Sequence, residues 1–360
     1  MLSSGETSIA LRSDDAAAAG WLVEFLHPWF AASSRTPRCD LTVTTSAERR
    51  REVLASRPVD AAPRACFALD QQVVSLPAWS RRDGVAVDDA ERSCVFVLGP
   101  SRVELFPDPT THRWRFTLQW ICHELAATRF RRTAVDLHAA AVETEGQAIA
   151  IVGPKGAGKT TLSFHLLRSG RCRWIANDRA FARIDGADVS LRGMPTPVKL
   201  LSAARRDFPE LLRGLRPIER PYLHTIAESI AAAGPADRRD AEELALSPAQ
   251  IAHQLGVTAR DEAPLGAIVF PEIRADRSGS LLMRLAPDEV AERLRSNLYG
   301  RPSGRRVATL FEEHDGGSAP TPYERTDEVA ARVPGWRALL GHDAYAMPDF
   351  AAQFLDGASS

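Results

Sequence analysis

Lysine is the residue type that this chain most clearly lacks. Of its 45 basic residues only three are lysines (Lys155, Lys159 and Lys199), and the remaining 42 are arginines. Arginine replaces lysine wherever a positive charge is enough, but not where a compact ammonium group is needed. Two of the three lysines stand within the eight residues 153–160. This stretch is therefore a candidate for a functional site that uses a lysine ammonium group.

The chain also lacks a charge excess, a cysteine pattern and a long apolar run. Its formal charge of −1 leaves no basic footprint for nucleic acid, and the short arginine clusters at 129–132 and 305–306 are typical of solvated faces. The five cysteines show no CxxC spacing, which excludes a disulfide framework or zinc site of the usual pattern. The first twenty residues carry acids where a signal peptide needs an apolar core. We expect a cytoplasmic protein that binds neither nucleic acid nor membrane.

Composition and texture predict two domains and an extension. With 44% hydrophobic and 25% charged residues, the chain is typical of a globular protein. The order of its predicted strands and helices favours an α/β fold. Residues 1–112 look like a β-rich N-terminal domain, because short apolar or alternating runs are separated by Pro, Gly and Asp turns. The predicted strands there are 41–45, 65–70, 72–76, 94–99 and 102–106. A second domain spans 113–300 and begins with a predicted helix at 114–130.

Strands and helices alternate in the second domain. The predicted elements are strands at 137–143 and 148–153, a helix at 158–168, a strand at 173–176, a hairpin of 181–184 with 188–191, a mostly helical segment at 202–263 with a surface loop at 234–240, a strand at 265–270, and a helix from 287 to near 300. Residues 301–360 are richer in Gly, Pro and Asp, which predicts a C-terminal extension packed on the surface.

A complete phosphate-loop motif lies between the second strand and the helix that follows. The motif G-x-x-x-x-G-K-[ST] is matched by Gly153, Pro154, Lys155, Gly156, Ala157, Gly158, Lys159 and Thr160. Glycines let the backbone N–H groups point inward around phosphate oxygens, and the following helix adds its positive N-terminal dipole. Lys159 is expected to reach the β- and γ-phosphates, and the Thr160 hydroxyl to bind Mg²⁺. We expect ATP to bind the backbone from Gly153 to Thr161; Lys155, at a variable position, either helps hold phosphate or faces solvent, and we favour solvent.

Two further residues are expected beside the loop. The strand after the helix ends in Asn177–Asp178, and a right-handed crossover sets it parallel to the strand before the loop. Asp178 would then hold Mg²⁺ or accept the proton of an attacking hydroxyl, although an aspartate that only caps a turn is the plainer alternative. His138 is either a core histidine or a residue that contacts phosphate or orients the acid.

The run at 137–200 resembles the catalytic domain of the bacterial HPr serine kinase/phosphorylase family, whose fold is related to phosphoenolpyruvate carboxykinase. That family has a His in the strand before the loop, then the phosphate loop, an acidic pair ending the next strand and an Arg-Gly further on. The resemblance implies functional positions at His138, Lys159, Thr160, Asp178 and Arg192–Gly193. A weaker match extends it to roughly 130–300. It implies an ATP- and Mg²⁺-dependent kinase that phosphorylates a hydroxyl of a peptide, a protein or a small molecule.

Departures from the family pattern keep other functions open. Asn177 stands where the family has a carboxylate, so Asp178 must act alone if the missing acid is the proton acceptor. Ser190 and Leu191 stand where the bifunctional enzyme has a Glu, which argues against phosphorylase activity. The alternatives are a nucleotide-driven ATPase switch and a nucleotide-binding module without turnover.

Three other regions bear on these alternatives. Glu272 follows a proline and is expected in a loop, which disfavours an ATPase of the AAA type. The N-terminal region either positions the acceptor or forms a structural layer, including one that assembles a homo-oligomer. The His–acid groups at 313–315 and 342–343 lack converging metal-site spacing and are expected to be surface residues.

Overall fold

A computed structural model of the chain describes residues 1–5, 7–69, 72–111, 113–200, 207–212, 244–299, 308–315 and 322–358. The strands are β1 (Leu2–Ser4), β2 (Thr7–Ser13), β3 (Ala31–Ala32), β4 (Cys39–Val43), β5 (Pro63–Leu69), β6 (Gln72–Arg81), β7 (Gly84–Asp89), β8 (Cys94–Gly99), β9 (Arg102–Pro107), β10 (Ala134–Thr144), β11 (Gln147–Val152), β12 (Arg173–Ala176), β13 (Arg179–Asp185), β14 (Asp188–Met194), β15 (Val198–Leu200), β16 (Leu244–Leu246), β17 (Glu262–Arg274), β18 (Ser280–Arg284) and β19 (Gly335–Gly341). The helices are α1 (Ala16–Leu26), α2 (Ala47–Ala55), α3 (Trp114–Phe130), α4 (Lys159–Arg168), α5 (Pro248–Leu255), α6 (Pro287–Arg295), α7 (Leu310–His314), α8 (Pro322–Arg332) and α9 (Phe350–Ala358).

The first nine strands form one sheet in the order β3-β1-β2-β4-β9-β8-β7-β6-β5. The pairs β2–β4 and β4–β9 are parallel, and the other neighbours are antiparallel. Buried side chains of α1 and α3, such as Trp21 and Leu118, share one apolar core with the sheet. Val53 of α2 packs with Val95 and Phe106 in a smaller cluster. The sheet is thus covered by helices.

The second sheet positions the candidate site. Its strand order is β11-β10-β13-β14-β17-β19-β18, and β11 also pairs with β17 in parallel. Strand β10 runs antiparallel to β11, and its other edge pairs with β12 and then β13. Strands β12 and β13 therefore follow β10 as one path that is interrupted at Asn177–Asp178. Because β11 and β12 are both antiparallel to β10, they point the same way, as the crossover argument requires.

Many elements that the sequence predicts are present. The chain has a mixed α/β fold, the predicted helix at 114–130 coincides with α3, and the predicted strand at 173–176 coincides with β12. The predicted hairpin is formed by β13 and β14. No described helix is both long and apolar enough to cross a membrane.

Three expectations need correction. Within the predicted surface extension, β19 is an interior strand between β17 and β18, with Ala338 and Leu340 fully buried. Glu272 is not a loop residue, because β17 continues through Pro271 to Arg274. Helix α6 ends at Arg295, five residues before the predicted end at 300.

The predicted helical segment at 202–263 is only partly described. Its described part contains α5, the short strand β16 and the first residues of β17, so it is not helical throughout. The predicted surface loop at 234–240 lies outside the described residues. The boundaries at residues 112 and 300 stay predictions, since apolar side chains from both sheets share one core.

Candidate functional site

The predicted phosphate loop joins the end of β11 to the start of α4. A Cβ atom on Gly153 would lie 2.9 Å from the Cβ of Ala157, so the chain can fold back on itself only with glycine at this position. Gly156 and Gly158 have φ angles of 85° and 90°, a left-handed region that residues with a Cβ rarely adopt. The glycines of the motif are thus needed for this backbone path.

Lys159 is buried at the first position of α4. Its ammonium nitrogen donates hydrogen bonds to the backbone oxygens of Gly153, at 2.7 Å, and Pro154, at 3.1 Å. The ammonium group therefore lies across the mouth of the loop. The residue before it, Gly158, offers no side chain to cap the helix, so the helix start can meet an anion. Lys155 is exposed, in line with the solvent-facing alternative.

Asp178 and His138 form a pair at the interruption between β12 and β13. Their side chains meet with His138 Nε2 3.0 Å from a carboxylate oxygen of Asp178, and the backbone oxygen of Asp178 accepts from the N–H of Ala139. His138 is almost completely buried, whereas the Asp178 side chain is 29% exposed. His138 thus orients an acid that solvent, and hence a ligand, can reach.

Asn177 links this pair to the loop. The hydroxyl of Thr160 donates to the side-chain oxygen of Asn177 at 3.4 Å, a long hydrogen bond. Asp178 follows Asn177 directly, and the end of β11 and the backbone oxygen of Asp178 both meet β10 at Ala139, so the loop and the acid lie at the same level of the sheet. The expected grouping of Thr160, Asp178 and His138 is therefore found in the fold.

The donor atoms here have the chemistry that Mg²⁺ prefers. A hydroxyl oxygen from Thr160 and a carboxylate oxygen from Asp178 are hard ligands, and Mg²⁺ in nucleotide sites takes few protein ligands besides phosphates and water. Among the described residues no group of three or more His, Cys, Asp or Glu side chains converges as a metal cage. The residues present fit a metal that arrives with a nucleotide.

A buried arginine–carboxylate network borders the pair. Its members are Glu124 and Arg131 from α3 and its end, Asp136 from β10, Arg179 from β13, and Glu312 from α7. Arg179 is 1% exposed and donates two hydrogen bonds to Asp136, at 3.0 and 2.7 Å. Burial alone would lower the pKa of Arg179, but Asp136 and Glu124 outweigh it and raise that pKa. Both arginines of the network stay charged.

Aromatic rings pack on both sides of the site. The Tyr299 ring lies edge-on to His138, with 6.3 Å between ring centroids, and the Arg179 guanidinium lies 4.3 Å from the centre of the same ring. On α4, His165 stacks on Tyr345 with centroids 4.1 Å apart, and burial lowers the pKa of His165 to about 4. The Tyr345 hydroxyl lies 4.0 Å from where a Cβ of Gly158 would stand.

Arg192 and Gly193, which the resemblance marks, have described contacts away from the loop. Arg192 bonds Asp261 at 3.0 Å and Ser4 at 3.3 Å, and also pairs with Glu262. A side chain on Gly193 would collide with the backbone oxygen of Ile175 and with Trp29. The described contacts account for both residues by packing between β14 and its neighbours.

The acidic and histidine groups of the tail contact separate partners. His314 Nε2 is 2.8 Å from the backbone oxygen of Gly99, and Asp315 pairs with Arg129 and Arg132. Asp343 accepts from Ser278 and from the N–H of Gly279. Glu272 is bound by Arg337 and Arg293, and hydrogen bonding by Arg337 is the main cause that lowers its pKa.

Three residues beside the site were not predicted from the sequence: Asp136, Arg179 and Tyr299. A signal for the first two was present, because side chains two apart on a strand share a face and Asp136 stands two residues before His138. Arg179 directly follows the candidate acid. Tyr299 had no such signal, since its contact depends on the bridge between Leu137 and Leu298.

The similarity of the chain to known proteins is weak. No protein-family model matches the chain, and no curated protein matches it. Among solved structures it is similar to the HPr(Ser) kinase/phosphatase of Coxiella burnetii, with 8% identity and a TM-score of 0.28, over 61% of this chain and 95% of that one. At these values the similarity assigns no activity to the chain.

Proposed function

We propose that the chain is an ATP-dependent kinase that transfers the γ-phosphoryl group to a hydroxyl of a peptide, a protein or a small molecule. The observation that carries the proposal is the grouping of the loop from Gly153 to Thr160 with the Asp178–His138 pair at the break between β12 and β13. A loop that only bound phosphate would not need an oriented, partly exposed acid beside it.

Each residue has a role in this proposal. The loop N–H groups and the start of α4 hold the phosphates, and Lys159 stabilises charge that develops on the transferring group. Thr160 and Asp178 would hold Mg²⁺, which neutralises phosphate charge when bound. Asp178, oriented by His138, accepts the proton of the acceptor hydroxyl as that oxygen attacks phosphorus.

One observation favours a second candidate, a nucleotide-binding module without turnover. Asn177, 7% exposed, occupies the place next to Thr160 with a neutral amide, so the site holds a single carboxylate at the break in the strand path. A site with one acid binds Mg²⁺ less strongly than a site with two.

Two substitutions test the proposal. Lys159→Ala should lower ADP release from MgATP by about a thousandfold or more, since it removes a charge that contacts the transferring group. Asp178→Asn should retain nucleotide binding, which the loop and Lys159 supply, while turnover falls about a hundredfold or more, because the proton acceptor is lost. Lys155→Ala, an exposed lysine of the same loop, is the matched control and should change turnover little.

The measurements are equilibrium binding of MgATP and the rate of ADP release, followed by mass spectrometry of candidate acceptors. Full activity of Asp178→Asn would disprove the role of that residue. Binding without any ADP release by the unmodified chain would favour the module, and ADP release without any phosphorylated acceptor would favour an ATPase switch.

A further inference from the structure

Arg179 joins the candidate acid to a rigid part of the fold. It is the residue after Asp178, and it pairs directly with His138 where β10 and β13 lie side by side. Its guanidinium donates two hydrogen bonds to the carboxylate of Asp136. Directly paired residues of antiparallel strands project to the same face of a sheet. Arg179, His138 and Asp136 therefore share one face.

The Tyr299 ring fills the space beside both Arg179 and His138. The centre of the ring lies 4.3 Å from the Arg179 guanidinium and 6.3 Å from the centre of the His138 imidazole, and the two rings are nearly perpendicular. The backbone of the same segment is fixed to β10, since the N–H of Tyr299 donates to Asp136 and that of His138 donates to Asn297. The His138 ring is thus held against Asp178 by a tyrosine that Arg179 supports.

The other members of the network hold the two hydrogen bonds between Arg179 and Asp136 in place. Arg131 donates to Asp136 at 2.9 Å, to Glu124 at 3.1 Å and to Glu312 at 3.2 Å. Glu124 also accepts from the backbone N–H of Ala68 in β5. Contacts from β5, α3 and α7 therefore converge on the arginine that follows Asp178.

We propose that Arg179 is a positioning residue for phosphoryl transfer: its fork on Asp136 and its contact with Tyr299 set the geometry of the His138–Asp178 pair. The inference rests on the proposed function. A lysine would supply the charge, but neither the two-bond fork nor a flat surface for the ring. Misplacement of a reacting group by about 1 Å can cost about a hundredfold in rate.

The test compares Arg179→Lys with Arg183→Lys, a control on the same strand and face whose side chain is 43% exposed. Arg179→Lys should lower the kcat for ADP release from MgATP by roughly tenfold to a hundredfold and leave the KM for MgATP within about threefold. The control should match the unmodified chain in both quantities. Equal kinetics for the two variants, in a chain that turns over MgATP, would overturn the positioning role alone.

A double substitution separates positioning from general damage to the fold. In an Asp178→Asn background, Arg179→Lys should lower the rate by no more than about twofold, because its effect passes through Asp178. An unchanged tenfold or larger loss in that background would overturn the inference.

Tyr299→Leu supplies an independent version of the test if Arg179→Lys does not fold. It removes the ring that packs beside Arg179 and His138 and leaves every charge of the network in place. We expect the same loss of kcat and the same absence of effect in the Asp178→Asn background, and a normal kcat would contradict the inference. Failure of the unmodified chain to release any ADP when MgATP and the candidate acceptors are both present would instead refute the proposed function, and the inference with it.

Discussion

Strand β10 carries residues from two polar groups that the fold treats very differently. In the network, Asp136 accepts three hydrogen bonds from two arginines, and Glu124, Asp136 and Arg179 are all less than 9% exposed. At the site, the bond between Thr160 and Asn177 is long, and Asp178 is partly open to solvent. One group is saturated by its own partners, whereas the other keeps donor and acceptor atoms within reach of a ligand.

We infer from this difference that the network supports the site and that the loop with its neighbouring acid binds the ligand. Buried charges that are fully paired resist movement, because removing one partner leaves another charge buried without compensation. Such a group suits the support of a site but cannot itself take part in a reaction that moves charge. The loop, Thr160 and Asp178 have the opposite character. The predictions that follow test whether stability depends on the first group and ligand chemistry on the second.

Breaking the network should have the largest effect on stability. Arg131→Met removes the donor shared by Glu124, Asp136 and Glu312, so we expect a loss of about 3–5 kcal/mol in the free energy of unfolding. The matched control is Arg129→Met, two residues earlier in the last turn of α3, where the arginine is 24% exposed and pairs with Asp315, and where about 1 kcal/mol or less should be lost. Denaturant unfolding measures both values. Equal losses for the two variants would contradict the distinction between the network and ordinary ion pairs.

The neighbourhood of the network should also make stability depend on pH. Burial, and then the charge of Arg179, lowers the pKa of His123 on α3 from 6.5 to about 3. The unfolded chain therefore binds a proton on His123 as the pH falls below about 6.5, while the folded chain does not. Stability from this residue is complete above that pH and is lost on acidification, by up to about 1.4 kcal/mol per pH unit.

Unfolding measured between pH 7 and pH 5 tests this dependence. His123→Phe should flatten the slope, since it removes the titrating group and keeps a ring in the core. His253→Gln, at an exposed position of α5, should leave the slope unchanged. If His123→Phe retained the full slope, another group would have to be responsible.

The sequence predicted the elements that depend on the spacing of apolar residues or on the handedness of one crossover. The helix at 114–130 and the strand at 173–176 were found from apolar spacing, and the approach of Thr160 to Asn177–Asp178 followed from the handedness of the crossover. Strand β19 was not predicted, because its partners β17 and β18 are about sixty residues away in sequence. Glu272 was misplaced because a proline within a strand usually signals an edge or a break.

The sequence marks Asp136 and Arg179 only as neighbours of candidate site residues, and the network that joins them to Glu124, Arg131 and Glu312 could not be predicted for a similar reason. Each of its arginines is one of 42, and nothing in the composition marks Arg131 or Arg179 as buried. Only the packing of α3, α7, β10 and β13 brings the five charges together. The lysines were informative because they are rare, whereas the arginines were too common to indicate anything.

The smallest effect is expected from Asn177→Asp, which would give the site a second carboxylate and so bring its number of charges closer to that of the network. A second carboxylate beside Thr160 adds a ligand charge, so Mg²⁺ should support half-maximal ADP release at a concentration roughly threefold to tenfold lower. The titration of ADP release with Mg²⁺ at saturating ATP measures this shift, with Asp185→Asn, a surface change at the end of β13, as the control. A shift to higher Mg²⁺ would mean that the amide itself serves the site. In that case Asn177 holds Thr160 in a way that a carboxylate cannot reproduce, and the single acid at the site is a working arrangement and not a loss.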